Sequence, residues 1–185
     1  MIDLGYMAKH IVTDPGWLDT PNVHDICAVS GCISADFCDY VNFWKHNGYW
    51  FFNSPRDIQV LSAANDVGLS GTTLFFYKAH NLQYDTDSQS WEPFTTHDAF
   101  HASITPPLNS QFLEFDIVTY SMQTMPECSP LSCNSLATEV SVNEHCLIPA
   151  IDYAIDCLET GVFDNSEPGP FRIISVNTLD FELAA

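Results

Sequence analysis

The sequence predicts a single α+β domain over residues 1–185, with a mixed or largely antiparallel sheet covered by about three helices. Three observations carry this expectation. A chain of 185 residues fits one domain and buries roughly 70% of the surface its unfolded form exposes, without needing disulfides. Segments of alternating apolar residues, many β-branched or aromatic, outnumber the segments of helical period. Their order runs two strands, two helices, four strands, a helix and a strand, which departs from the regular alternation of a doubly wound sheet.

The first strands are expected at 5–12 and 23–30. A helix follows Ser34 as N-cap, with Asp36 in its first turn, and Phe37, Tyr40, Val41 and Trp44 at i, i+3, i+4 and i+7; Asn47-Gly48 stops it. The next helix opens with Ser54-Pro55, a cap followed by proline at the first helical position. It runs through Ile58, Leu61 and Ala64 to a stop near Gly68. Strands are then expected at 72–80, 100–105, 112–121 and 139–142. The third helix, 149–160, places Ile151, Ala154, Ile155 and Leu158 on one stripe before Gly161, and 171–176 is the last strand. The expected core contains Phe37, Tyr40, Trp44, Leu61, Phe75, Phe115, Ile117, Ile151, Ile155 and Ile173.

The formal net charge is −19, from 24 acidic residues against 5 lysines and arginines. The acidic content is ordinary, so the imbalance comes from missing bases and gives a broadly negative surface. Scattered bases cannot neutralise a run of phosphates, so nucleic acid is not an expected partner, nor is an anionic membrane surface. A small molecule, a cationic partner or a second copy in a homo-oligomer is compatible with this charge. The N-terminus has an acid at position 3 and no basic region before an apolar run, and an odd count of seven cysteines argues against a disulfide framework; both features predict reduced thiols in a cytoplasm.

Chemistry is expected in the segment 126–146, which holds three of the seven cysteines and one of the seven histidines. Cys128, Cys133, His145 and Cys146 fall within the loose spacing of zinc ligands. Since adjacent residues point apart, a set of Cys128, Cys133 and either His145 or Cys146 would leave one position open for water. The other reading makes Cys133 a thiolate nucleophile at the start of a helical turn, with His145 as base and Glu127 or Asn143 orienting it. The expected function is a thiol- or metal-based enzyme acting on a small molecule through residues 128–146. The alternative is a non-catalytic ligand- or protein-binding domain with structural cysteines. Cys32, after a strand and beside Gly31, is a rival nucleophile. Arg172 is read as either a strand residue facing solvent or a partner for a carboxylate, and His97 and His101 are discounted as ligands because the local alternation there is that of a strand.

Overall fold

The computed structural model describes residues 1–38, 47, 50–94, 103–121 and 125–180. Six strands form one antiparallel sheet: β1 (Ile2–His10), β4 (Ala35–Asp36), β5 (Thr73–Asp85), β6 (Ser90–Pro93), β7 (Gln111–Thr119) and β8 (Phe171–Leu179). Their order is β4-β1-β5-β8-β7, with β6 paired to the far half of β5. A separate small ribbon pairs β2 (Val12–Thr13) with β3 (Asp25–Ile26). The helices are α1 (Pro55–Asn65), the single turn α2 (Pro130–Cys133) and α3 (Ile151–Glu159), with a 3-10 turn at Leu136–Thr138. They cover the sheet only in part.

The interior strand β8 shows why the sheet needs cover on both sides. Phe171 and Ile173 pack in one apolar cluster and Ile174 and Val176 in another, so successive side chains enter opposite cores. The first cluster gathers Leu4, Tyr6, Phe51, Phe52, Phe75 and Tyr77 with Ile58 of α1. The second gathers Ile117, Phe171 and Ile173 with Leu131, Leu136, Ala154 and Leu158 from the α2–α3 region. Near the start of β1 a bulge falls at Gly5, where φ is +124° and an added Cβ would collide with the Phe52 carbonyl oxygen. Only glycine fits there.

The helix α1 forms where its cap and proline place it, and α3 where its apolar stripe does, without a side-chain cap at Ala150. Ser54 accepts from the Asp57 amide, Pro55 begins α1, and Asp66 closes it in a left-handed conformation. The helix expected after Ser34 does not start there. Ser34 is turned inward, donating to the Ile26 carbonyl at 2.5 Å and accepting from the Ala28 amide at 3.2 Å, while Ala35–Asp36 pair with β1 as an edge strand. A hydroxyl suited to capping a helix here closes a loop instead. The remainder of that expected helix, with Tyr40 and Trp44, lies outside the described residues.

Residues 139–142 form no strand, because the chain leaves the 3-10 turn into irregular backbone. The strand expected at 100–105 lies partly outside the described residues, and 103–105 are not extended into the sheet. His97 and His101 also lie outside them. Of the expected core, Phe37, Phe75, Ile117 and Ile173 are buried, whereas Leu61, Phe115, Ile151 and Ile155 sit half-buried at the edges of the clusters. Arg172 is buried. Its guanidinium lies between the rings of Phe94 and Tyr120, 3.9 and 4.1 Å from their centroids, and donates to Gln83 Oε1. Two π faces and an amide oxygen thus hold this cation, buried where one reading of the sequence had it facing solvent.

Among the described residues, no helix is long and apolar enough to cross a membrane.

Candidate functional site

The site is organised by the loop that runs from β3 to β4, residues 27–34. Such a loop carries backbone groups that must be satisfied wherever they are buried, and here two side chains from the sheet do so from opposite sides. Lys9 of β1, fully buried, donates to the carbonyl oxygens of Val29 and Ser30, both at 2.7 Å, and lies 3.3 Å from Asp36 Oδ1. Asp116 of β7, also buried, accepts from the Val29 amide at 2.8 Å and from the Ser129 hydroxyl at 2.6 Å; Ser129 in turn accepts from the Ser30 amide. A cation therefore holds the loop's carbonyls and an anion holds its amides. Burial raises the Asp116 carboxyl to about 6, against the opposing effects of Ser129, the Val29 amide and Lys9.

Cys27 and Cys32 flank this stapled stretch, and each joins a different cluster. Cys32, exposed, meets Cys128 and Cys133, close enough that each thiol bears on the protonation of the others. Cys128 is buried and is set by a short ladder to the end of β7: its carbonyl accepts from the Thr119 amide at 2.9 Å, and its amide donates to Thr119 Oγ1 at 3.1 Å. Cys133 ends α2 and lies 3.9 Å from Ser30 Oγ. Its position at the last residue of the turn, not the first, puts it away from the free amides that the sequence reading assigned to it.

Three sulfurs so placed share their protons unequally. With Cys128 and Cys133 beside its sulfur, and with Ser30 and the buried Lys9 charge, the Cys32 thiol is held below its usual range despite partial burial. When protonated, Cys32 donates to the Glu127 carbonyl at 3.1 Å. Of the three thiols, Cys32 is the one shifted downward. Cys128 is pushed up by its hydrogen bonds to Cys133 and Cys32 and by burial. Cys133 is pulled down by Cys128 but pushed up by donation to Cys32 and by burial, with a net upward shift. Beside Cys32 lies a cavity of about 200 Å³ lined by Gly31, Asp36, Trp50, Met125 and Pro126.

The second cluster contains Cys27, Asp25 and His145. Asp25 Oδ1 lies 2.8 Å from His145 Nδ1 and accepts from Cys27 Sγ at 3.3 Å. Among the described residues, these three offer ligand atoms that all lie within 4.8 Å of one another.

The structure thus brings together Cys128 and Cys133 of the sequence-predicted set and places His145 with Asp25. The Glu127 carboxylate accepts from the amide and hydroxyl of Ser121, at 2.9 and 2.5 Å. Asn143 does organise the His145 loop, since its Oδ1 accepts from the His145 and Leu147 amides and its Nδ2 donates to the Leu113 carbonyl. Cys146 is buried near Asp116 and Cys133, its thiol pushed up to about 12 chiefly by burial. Cys32 was readable only as an isolated thiol after a glycine; its two sulfur partners lie a domain's length away along the chain. In comparisons with family models, with curated proteins and with solved structures, no significant match is found for this chain.

Proposed function

We propose that the protein is a thiol-dependent enzyme that exchanges electrons with a small disulfide through Cys32 and Cys133. The observation that carries this reading is the convergence of three thiols, one of them exposed beside a cavity and, by our reading, shifted toward its thiolate by the other two. An exposed attacking thiolate backed by a less accessible second thiol is the arrangement that thiol–disulfide exchange requires.

The step balances as follows. The Cys32 thiolate attacks one sulfur of the substrate disulfide, forming a mixed disulfide as the substrate S–S bond breaks. The departing substrate thiolate takes the Cys133 proton. The new Cys133 thiolate attacks Cys32 Sγ and expels the second substrate thiolate, which is protonated by solvent. Two electrons pass from the protein dithiol to the substrate, and the Cys32–Cys133 disulfide is returned to the dithiol by a thiol reductant. Cys128 stays protonated, its S–H donating to Asn134 Oδ1 at 3.4 Å, its own thiol being the most disfavoured as an anion.

Alkylation of the reduced protein over a range of pH tests the reading. Cys32 is expected to react first and already at mildly acidic pH. If Cys32 reacts at the pH expected of an ordinary thiol, the cysteines are structural and the alternative of a non-catalytic binding domain takes its place.

A further inference from the structure

We infer that Asp25, Cys27 and His145 form a zinc-class divalent metal site separate from the Cys32 thiol centre. The donor set is mixed: a carboxylate oxygen, a thiol sulfur and an imidazole nitrogen. Three protein ligands of these types with solvent access suit a tetrahedral borderline ion that keeps a fourth position for water or a ligand.

Two of the three ligand separations are close to what such an ion demands, and all three lie within 4.8 Å. With metal–oxygen and metal–nitrogen bonds of about 2.0–2.1 Å and a metal–sulfur bond of about 2.3 Å, tetrahedral ligand atoms sit roughly 3.3–3.6 Å apart. The observed separations are 2.8 Å between His145 Nδ1 and Asp25 Oδ1, and 3.3 Å between Cys27 Sγ and Asp25 Oδ1. Replacing the protons these atoms share with an ion requires outward shifts of a few tenths of an ångström.

The two segments that bear the ligands are held together by backbone, which fixes the donors before any ion arrives. The amides of His24 and Asp25 both donate to the Glu144 carbonyl, at 2.8 and 3.1 Å, and the Cys27 amide donates to the His145 carbonyl at 3.1 Å. The other ring nitrogen of His145, Nε2, lies 3.7 Å from Glu144 Oε1. At this distance the carboxylate is beyond direct hydrogen bonding and acts on the imidazole only through its charge. Cys27 is buried, while the side chains of Asp25 and His145 are each about one-fifth exposed, so an ion reaches the site from the Asp25–His145 side.

The test uses the full chain, reduced and freed of metal by a chelator, with Co²⁺ as the spectroscopic probe and Zn²⁺ as competitor. About one equivalent of Co²⁺ is expected to bind with a sulfur-to-cobalt charge-transfer band and tetrahedral visible bands, both removed by Zn²⁺. Cys27→Ser abolishes the charge-transfer band. His145→Gln, a substitution at a partly exposed position that leaves the core intact, weakens binding about tenfold or more. Cys32→Ser leaves both spectrum and affinity unchanged. Absence of the band, its survival in Cys27→Ser, or its loss in Cys32→Ser overturns the assignment, the last because the metal would then sit on the thiol centre instead.

Discussion

The buried ammonium of Lys9 donates to the Ser30 carbonyl at 2.7 Å, two residues before the exposed thiol of Cys32. This contact ties the position of the thiol to the first strand of the sheet. Lys9→Met fills the volume but leaves two carbonyls and the largely buried Asp36 carboxylate without their cation. A loss of about 3 kcal/mol in unfolding free energy is expected, measured by urea denaturation, because the partner charge is stranded. Cys32 in the variant should also require a higher pH for alkylation.

Asp116 makes stability depend on pH in an identifiable window. Its carboxyl titrates at about 6 in the folded protein, above the unfolded value of about 4, so the folded state holds the proton more tightly. Its contribution falls as pH rises from about 4 to about 6 and is constant above that. Asp116→Asn keeps an oxygen for Val29 and Ser129 and removes the titration. Relative to this variant, the unchanged protein should lose on the order of 2–3 kcal/mol between pH 4 and pH 6.5, read from paired denaturation curves. Parallel curves across that range would contradict the assignment.

Substitutions at Cys133 separate its two proposed roles. Cys133→Ser keeps a hydroxyl donor toward Cys32, so the alkylation pH of Cys32 should change little while exchange stalls at the mixed disulfide. Cys133→Ala removes the donor as well, and the Cys32 alkylation profile should move to higher pH. A profile that moves equally in both variants would show that donation from residue 133 does not set the thiolate.

Charge should decide which small disulfides react. Asp36 lines the cavity beside Cys32, and the chain carries a formal net charge of −19. A dicationic disulfide such as cystamine should react with Cys32 faster than anionic glutathione disulfide, and added salt should narrow the gap. Stopped-flow rates at low and high ionic strength measure both. Equal rates at low salt would remove the electrostatic part of the account.

Sequence patterns disclosed the local features of this fold and little of its convergence. Ser54-Pro55 marked the start of α1 because cap and proline chemistry is local, and β5, β7 and β8 were visible in their apolar residues. Ser34 misled because the same hydroxyl that caps a helix also closes a loop, and the choice was made by its partners: the Ile26 carbonyl at the end of β3, and β1 beside Ala35–Asp36. At the site, Cys128 and Cys133 were legible as a close pair, and Asn143 as a turn residue near His145. Cys32 meets the Glu127 carbonyl across 95 positions of sequence, and His145 meets Asp25 across 120. No periodicity or spacing encodes such contacts; they follow from the antiparallel sheet and from the Lys9 and Asp116 staples on one loop.

The account rests most directly on the fate of Cys32 after reaction with a disulfide. The reduced protein should be treated with a small excess of cystamine, quenched in acid, and its disulfides mapped by mass spectrometry. The predicted result is an internal Cys32–Cys133 bond, with transient cystamine modification confined to Cys32 and two thiols released from each cystamine reduced. An unreacted Cys32, or a stable mixed disulfide on it with Cys133 still reduced, would contradict the proposed exchange.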